Sequence, residues 1–369
     1  MMNRNYTKLM ALGMAAVMTA GVLAGCGSTA AGTADSAEAE TGASAAAAEA
    51  QTENTNSAKE AAESEKTESG KKVSIVCTTF PQYDWTMQLI KGIEDRFDVK
   101  YLMESGVDLH SYQASAEDIA AIAEADLFIY VGGESDGWVE EALANATNKA
   151  QRSINMLEAL GDAVKEEELV EGMQGEEEEE PEAEEEEEGP EYDEHVWTSL
   201  KNAQALTRDI AADLGAIAPE QKETVDANCE AYTAALAELD GEYEKAVSAA
   251  SLDTVLFGDR FPFRYLVDDY HLNYYAAFVG CSAETEASFD TITFLAKKVD
   301  ELGLPAILVI ENSDQKIAGT IRDNTAGKNQ EILVMDSVQS VSAEDIASGR
   351  SYLGAMQGNL ETLRKALNK

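Results

Sequence analysis

Short apolar runs alternate with helical patterns along most of this chain, and that alternation is the strongest constraint on its fold. Residues Val73 to Thr78 form a run rich in β-branched residues, which is typical of a strand buried on both faces. Strand-helix-strand order predicts an α/β lobe with a parallel sheet. In this part of the chain we predict further strands at 97–103 and 126–131, and helices at 83–93 and 116–125.

The same alternation returns after a long helical pattern from Pro219 to about Ala249. Apolar residues recur there at helical spacing, so the pattern predicts one rigid helix connecting two similar α/β lobes. A ligand cleft is then expected between the lobes, at the carboxyl ends of the strands. We predict the remaining strands at 253–257, 274–278, 306–310 and 332–335, and helices at 200–214, 289–302, 315–324 and 352–367.

The first 26 residues have the features of a lipoprotein signal peptide. Arg4 and Lys8 precede an apolar run from Leu9 to Leu23, which is short for a membrane span. The run ends at Cys26 in a tetrapeptide, Leu-Ala-Gly-Cys, that resembles the bacterial lipobox. We therefore expect a lipid on Cys26 and an extracytoplasmic protein anchored to the bacterial membrane. An ordinary signal peptide with a chance cysteine is the alternative.

Composition then divides the mature chain. Residues 27–70 are mostly small and polar, as in a disordered tether. We expect an N-terminal lobe at 71–214, a connecting helix at 215–250 and a C-terminal lobe at 251–369. An acidic insertion at 165–194 contains runs of Glu and should be exposed and mobile. It is either a weak collector of cations or a charged spacer.

The formal net charge of −43 excludes nucleic acid as a partner, because phosphates would be repelled. A cation suits this charge, although solubility alone would also explain most of it. Three cysteines remain beyond Cys26, namely Cys77, Cys229 and Cys281, so at least one is unpaired or pairs elsewhere. Their spacing includes no C-x-x-C, which argues against a structural zinc knuckle.

Two of the chain's three histidines, His110 and His195, lie in matching Asp-x-His-x-aromatic motifs. An acidic neighbour, Asp108 or Asp193, can orient each imidazole and raise its basicity, as partners of metal ligands do. Matching motifs in a chain so poor in histidine favour a metal site over two unrelated surface residues. His271 has no such motif, and we interpret it as structural, in a turn after a helix.

From Lys71 onward the chain resembles the metal-binding lipoproteins of zinc and manganese ABC importers, some of which are also called adhesins. Both His motifs carry this resemblance, although Leu109 and Glu194 stand where proline is usual. Glu311 falls in a strand-end segment typical of that family. The closing segment around Met335-Asp336-Ser337, with Tyr352 and Asn359, is also similar.

The resemblance implies two α/β lobes joined by a rigid helix, with one metal bound in the cleft by four residues. It assigns His110, His195 and Asp336 as ligands. The family's third ligand aligns with Arg260, which cannot bind a cation, so Asp259 is the expected substitute unless it pairs with an arginine. Glu284, Glu286 or no further residue are the alternatives.

The resemblance also implies a monomeric, lipid-anchored carrier that delivers Zn²⁺ or Mn²⁺ to the permease of an ABC importer. Intrinsic affinity favours zinc over manganese at a site of imidazoles and carboxylates. A manganese-specific carrier and a surface adhesin are the alternative functions. The sequence has neither His-Glu-x-x-His nor Gly-x-Ser-x-Gly, and we expect no enzymatic activity.

Overall fold

Two parallel sheets organise the computed structural model, which describes residues 71–175, 191–282 and 286–368. Each sheet has four strands, and each belongs to one lobe. The first sheet has the order β2-β1-β3-β4, and the second has the order β6-β5-β7-β8. This confirms the predicted class of two similar α/β lobes. The strands are β1 (Val73–Cys77), β2 (Phe97–Tyr101), β3 (Leu127–Tyr130), β4 (Arg152–Asn155), β5 (Thr254–Phe261), β6 (Asn273–Val279), β7 (Ala306–Val309) and β8 (Glu331–Val334).

Helices cover the sheets, as parallel strands require. The longest, α6, has 28 residues and is therefore about 42 Å long. The helices are α1 (Phe80–Leu89), α2 (Ala116–Glu124), α3 (Val139–Ala144), α4 (Met156–Leu160), α5 (Leu200–Ile217), α6 (Lys222–Ala249), α7 (Arg264–Tyr270), α8 (Phe289–Leu302), α9 (Lys316–Asn324), α10 (Ala343–Ala347) and α11 (Tyr352–Ala366). Within the described ranges no helix is long and apolar enough to cross a membrane.

One strand differs from its prediction in a way that affects the site. The strand predicted at 253–257 ended at Phe257, whereas β5 continues to Phe261. Its pairing with β6 shifts register between Phe257 and Arg260, as at a β-bulge. Asp259 and Arg260 therefore lie on an irregular strand end.

Helix α6 contributes to a hydrophobic core that includes residues of both sheets. Leu236 and Tyr243 are completely buried in that core. The hydroxyl of Tyr243 donates a hydrogen bond of 2.6 Å to the carbonyl of Met356 on α11. The helix is thus fixed by apolar contacts and by a buried hydrogen bond.

Both described ends of the acidic segment contact the rest of the fold. The expectation of an exposed insertion is therefore wrong for Met173, Asp193 and Glu194, which are buried, whereas residues such as Glu166 and Leu169 are exposed. Glu166 and Tyr192 form an antiparallel bridge, and the Gln174 N–H donates to the Ala277 carbonyl at 2.9 Å. Met173 is buried in the hydrophobic core. The Glu runs between these ends, like the predicted signal peptide and tether, lie outside the described residues.

Replacing Leu236 with Ala should remove core contacts of α6 and leave a cavity. We expect the free energy of unfolding to fall by about 2–5 kcal/mol, measured by denaturant titration. Leu169→Ala is the control, because this leucine is 62 % exposed, and its effect should stay within about 0.5 kcal/mol. Equal effects of the two substitutions would contradict the packing described for α6.

Candidate metal centre

The two Asp-x-His-x-aromatic motifs form similar short turns. Asp108 Oδ1 accepts a hydrogen bond from the His110 N–H at 3.1 Å, and Asp193 Oδ1 accepts one from the His195 N–H at 2.8 Å. A single 3₁₀ turn follows or includes each histidine. The aspartate two residues before each histidine therefore fixes the backbone of the turn.

Each aromatic residue of the motifs anchors its turn. Tyr112 donates a hydrogen bond to Asp118 of α2 at 3.0 Å. Trp197 is buried, contacts the His195 ring edge-on, and donates from Nε1 to the Ser337 carbonyl at 2.7 Å. The second motif is thus attached to the segment that follows β8.

The two imidazole rings meet at their Nε2 atoms, which lie 3.1 Å apart. Their planes are inclined by 56°. Two nitrogen ligands at about 2.0–2.1 Å from one tetrahedral zinc ion would lie about 3.3 Å apart. The spacing of the pair therefore suits two ligands of a single ion with little movement of either ring.

The other ring nitrogen of each histidine is held by a partner. His195 Nδ1 lies 3.1 Å from Asp193 Oδ1, as the motif predicted. His110 Nδ1 instead contacts Ser135 Oγ at 2.8 Å and lies 3.6 Å from Glu194 Oε2. The expectation that Asp108 orients the His110 ring is therefore wrong. When these Nδ1 atoms donate, the lone pairs of both Nε2 atoms are available to a metal.

Burial sets the protonation of the pair. Burial and the charge of nearby His195 lower the pKa of His110 to about 3. Burial also opposes the charging of His195, but the neighbouring Asp193 carboxylate outweighs it and raises the pKa of His195. Without metal, one proton on His195 can then be shared across the Nε2–Nε2 contact. A bound cation would replace that proton.

Cys281 lies close to the two histidines. Its Sγ and one ring nitrogen from each of His110 and His195 all lie within 4.8 Å of one another. No other set of three possible ligands is as close among the residues that the structure describes. Sequence reasoning selected the loop that holds Cys281 but favoured its glutamates. The signal it missed was the cysteine itself, which lies two residues after the end of β6.

The two predicted aspartate ligands lie outside this group. Asp336 Oδ1 accepts a hydrogen bond from the Val338 N–H at 2.8 Å, and its Oδ2 forms an ion pair with Arg350. Asp259 Oδ1 accepts from the Arg260 N–H, whereas its Oδ2 is buried without a hydrogen-bond partner among the described residues. Asp336 therefore has both carboxylate oxygens engaged in this conformation. Metal ligation by either aspartate stays a prediction.

The glutamates near the cleft are less well placed to supply a third ligand. Glu286 is exposed, and Glu284 lies outside the described residues. Glu311 accepts hydrogen bonds from the backbone and the hydroxyl of Ser337. The third histidine, His271, is exposed and ends α7 in a left-handed conformation, which agrees with its interpretation as structural.

Arg260 occupies the position at which the resemblance expected a ligand. Its guanidinium donates to Asp108 Oδ2 at 2.7 Å and forms an ion pair between the lobes. The side chain of Asp259 forms no ion pair with either nearby arginine, since Arg260 binds Asp108 and Arg264 pairs with Glu168 and Asp268. Arg260 thus neutralises one carboxylate beside the histidine pair.

Comparison with known families identifies the group to which this fold and site belong. The family described as zinc-uptake complex component A, periplasmic, matches residues 75–366. The chain belongs to this family. This confirms the resemblance found in the sequence. The family's description is that of a component of zinc uptake and not of an enzyme, which confirms the expectation of no enzymatic activity.

Individual relatives are similar over most of the chain. Zinc-binding lipoprotein AdcA of Streptococcus pneumoniae strain R6 is 30 % identical over 84 % of this chain, but the alignment spans 58 % of AdcA. High-affinity zinc uptake system protein ZnuA of Bacillus subtilis is 31 % identical over 84 % of this chain and 91 % of its own length. The Zn(II)-bound ZnuA-like domain of S. pneumoniae AdcA is 29 % identical, with a TM-score of 0.63 and coverage of 81 % of this chain and 100 % of that domain.

We expect only one histidine of the metal-free pair to titrate near neutral pH. The raised pKa of His195 keeps its ring protonated to a higher pH than usual, whereas His110 should stay neutral until the pH approaches 3. NMR of ring nitrogens in a chain with three histidines can resolve each residue. If both rings of the pair become charged near the usual histidine pKa of about 6.5, this arrangement is contradicted.

Proposed function

We propose that this chain captures zinc outside the cytoplasm and delivers it to the permease of an ABC importer. The observation that carries the proposal is the approach of two imidazole Nε2 atoms to 3.1 Å at a buried position, with both Nδ1 atoms held by other groups. Imidazole nitrogens suit zinc, and this convergence is the geometry of two ligands on one ion. The zinc-binding names of AdcA and ZnuA relatives support the same cargo.

The surroundings of the pair also suit a transported ion. His195 is fully buried and the side chain of His110 is 12 % exposed, so a bound ion would be shielded from bulk water. A cavity of about 580 Å³ opens beside the first motif and is lined by residues of both lobes, including Asp108, Asp259 and Glu311. The lining has four carboxylates, on Asp108, Asp259, Glu311 and Asp314, and one arginine, Arg260, so its net negative charge favours the approach of a cation.

Membership of the zinc-uptake family supports delivery to an importer. A carrier that is tethered to the membrane remains close to the permease, and a lipid on Cys26 would supply the tether. The two histidines come from one chain, so the site needs no second subunit, and we propose that the protein acts as a monomer. Manganese is the competing cargo, and direct titration distinguishes the two ions.

Replacing His110 or His195 with Ala should lower zinc affinity by more than about 100-fold, because loss of groups that merely orient ligands already costs about 10- to 100-fold. Competition with a chelating dye measures this constant for zinc and for manganese. His271→Asn is the matched control, since asparagine tolerates the left-handed backbone at this position. Unchanged zinc affinity in both histidine variants, or tighter binding of manganese than zinc by the unaltered chain, would refute the proposal.

The lipid anchor has a separate test. Cys26→Ser removes the thiol that would carry the acyl chains, and we expect the protein to leave the membrane fraction or to remain unprocessed. Fractionation and mass spectrometry of the N-terminus report these outcomes. Cys229→Ser, on helix α6, is the control and should stay in the membrane fraction. A Cys26→Ser protein that is processed and membrane-bound as before would place the anchor elsewhere.

A further inference from the structure

We propose that the Cys281 thiolate is the third zinc ligand, so that the cargo is held by two imidazoles and one sulfur. This inference rests on the proposed function and specifies the chemistry of its site. It departs from the set of two histidines and two aspartates expected from the sequence. Its basis is the group of His110, His195 and Cys281, whose possible ligand atoms all lie within 4.8 Å.

The backbone before Cys281 explains how the sulfur reaches the histidines. Cys281 lies just beyond β6, at the carboxyl end of a strand of the second lobe. A Cβ atom on Gly280 would lie 3.1 Å from His195 Cε1 and 3.0 Å from the Phe261 carbonyl oxygen. The absence of a side chain at Gly280 therefore lets this strand end approach the buried His195 ring.

Glu167 holds the loop from the other side. One of its carboxylate oxygens accepts a hydrogen bond from the Cys281 N–H at 3.2 Å. Glu167 belongs to the packed part of the acidic segment, and its N–H donates to the Glu191 carbonyl at 3.0 Å. The second lobe and the segment before His195 thus fix the position of Cys281 together.

The three cysteines in the described part of the chain are free and have different surroundings. Cys77 and Cys229 are buried within the main hydrophobic core, where a thiol acts as a small apolar side chain. Cys281 belongs to none of the hydrophobic clusters of the described residues and contacts polar groups instead. Cys281 is therefore placed to act as a metal ligand, whereas Cys77 and Cys229 pack in the hydrophobic core.

A sulfur ligand would also change the selectivity of the site. Thiolate is a soft donor that zinc accepts readily, whereas manganese prefers carboxylate, carbonyl and water oxygens. Binding would release the thiol proton to solvent and leave the sulfur anion on the metal. Since Arg260 stands at the usual third position and cannot coordinate, a donor from the neighbouring strand end replaces it.

Cobalt(II) provides a direct test, because a cobalt–thiolate bond gives a near-ultraviolet charge-transfer band that imidazole and carboxylate ligands do not give. The full chain is loaded with cobalt in detergent, and Cys281→Ser is compared with the control Cys229→Ser. We expect the band in the unaltered chain and in the control but not in Cys281→Ser. We also expect zinc affinity to fall by more than about 100-fold in Cys281→Ser but not in Cys229→Ser, because loss of a group that only orients a ligand costs about 10- to 100-fold.

A second variant separates ligation from folding. Cys281→His replaces one metal donor with another and should restore most of the zinc affinity without the sulfur band. In the unaltered chain, zinc should protect Cys281 from iodoacetamide, as measured by mass spectrometry of its peptide. Because this protection is measured in the unaltered chain, it does not depend on whether the Cys281→Ser variant folds.

The outcomes distinguish this inference from the function on which it rests. Tight zinc binding that depends on His110 and His195, together with no thiolate band and no protection of Cys281, would overturn the sulfur ligand and leave zinc capture intact. A full chain that binds neither zinc nor cobalt would overturn both. Retention of the band in Cys281→Ser would assign it to another cysteine and refute the inference.

Discussion

The arrangement depends on a completely buried histidine, His195, which is held on several sides. Asp193 fixes both its backbone and its Nδ1, and Trp197 lies against the ring. Burial of an imidazole is costly unless its polar atoms have partners. The other ring nitrogen of His195, Nε2, faces Nε2 of His110. Cys281 of the second lobe also lies close to the histidine pair.

Contacts between the lobes determine what surrounds the pair. Tyr265 of α7 donates to the Asp193 carbonyl at 2.7 Å, and Arg260 pairs with Asp108. Both lobes therefore contribute to the positions of both His motifs. Arg260, at the position where a metal ligand was expected, does more than leave out a metal donor. It binds the carboxylate of the first motif, while the next strand end presents a thiol.

Much of the fold could be predicted because it depends on local patterns. The strands rich in β-branched residues and the long helix α6 could all be recognised from apolar spacing. Strand β4 was missed, since it is at the edge of its sheet and buries only Ile154. Helix α7 was expected only as the helix before the turn at His271, and its bounds were not predicted, because it is short and follows the irregular end of β5.

The site was harder to predict, because its members meet only through tertiary contacts. His110 and His195 could be found from their shared motif, but Cys281 has no motif of its own. Its role depends on the close approach that Gly280 allows and on Glu167 from a segment more than 100 residues earlier. The spacing of residues along the chain does not indicate that these groups lie together in the fold. The partners of His110 Nδ1, Ser135 and Glu194, were hidden for the same reason.

The bridge between Glu166 and Tyr192 has a consequence for how such a chain can vary. Together with the hydrogen bond from the Gln174 N–H to the Ala277 carbonyl, it fixes the chain on both sides of residues 176–190, so the number of residues between these fixed points can change without altering the described contacts. Doubling a loop whose ends are already joined costs only about 0.6 kcal/mol. Natural variation could therefore lengthen, shorten or recharge the Glu runs without disturbing the histidines. For the same reason, this is the position at which a reporter peptide could be inserted into the chain.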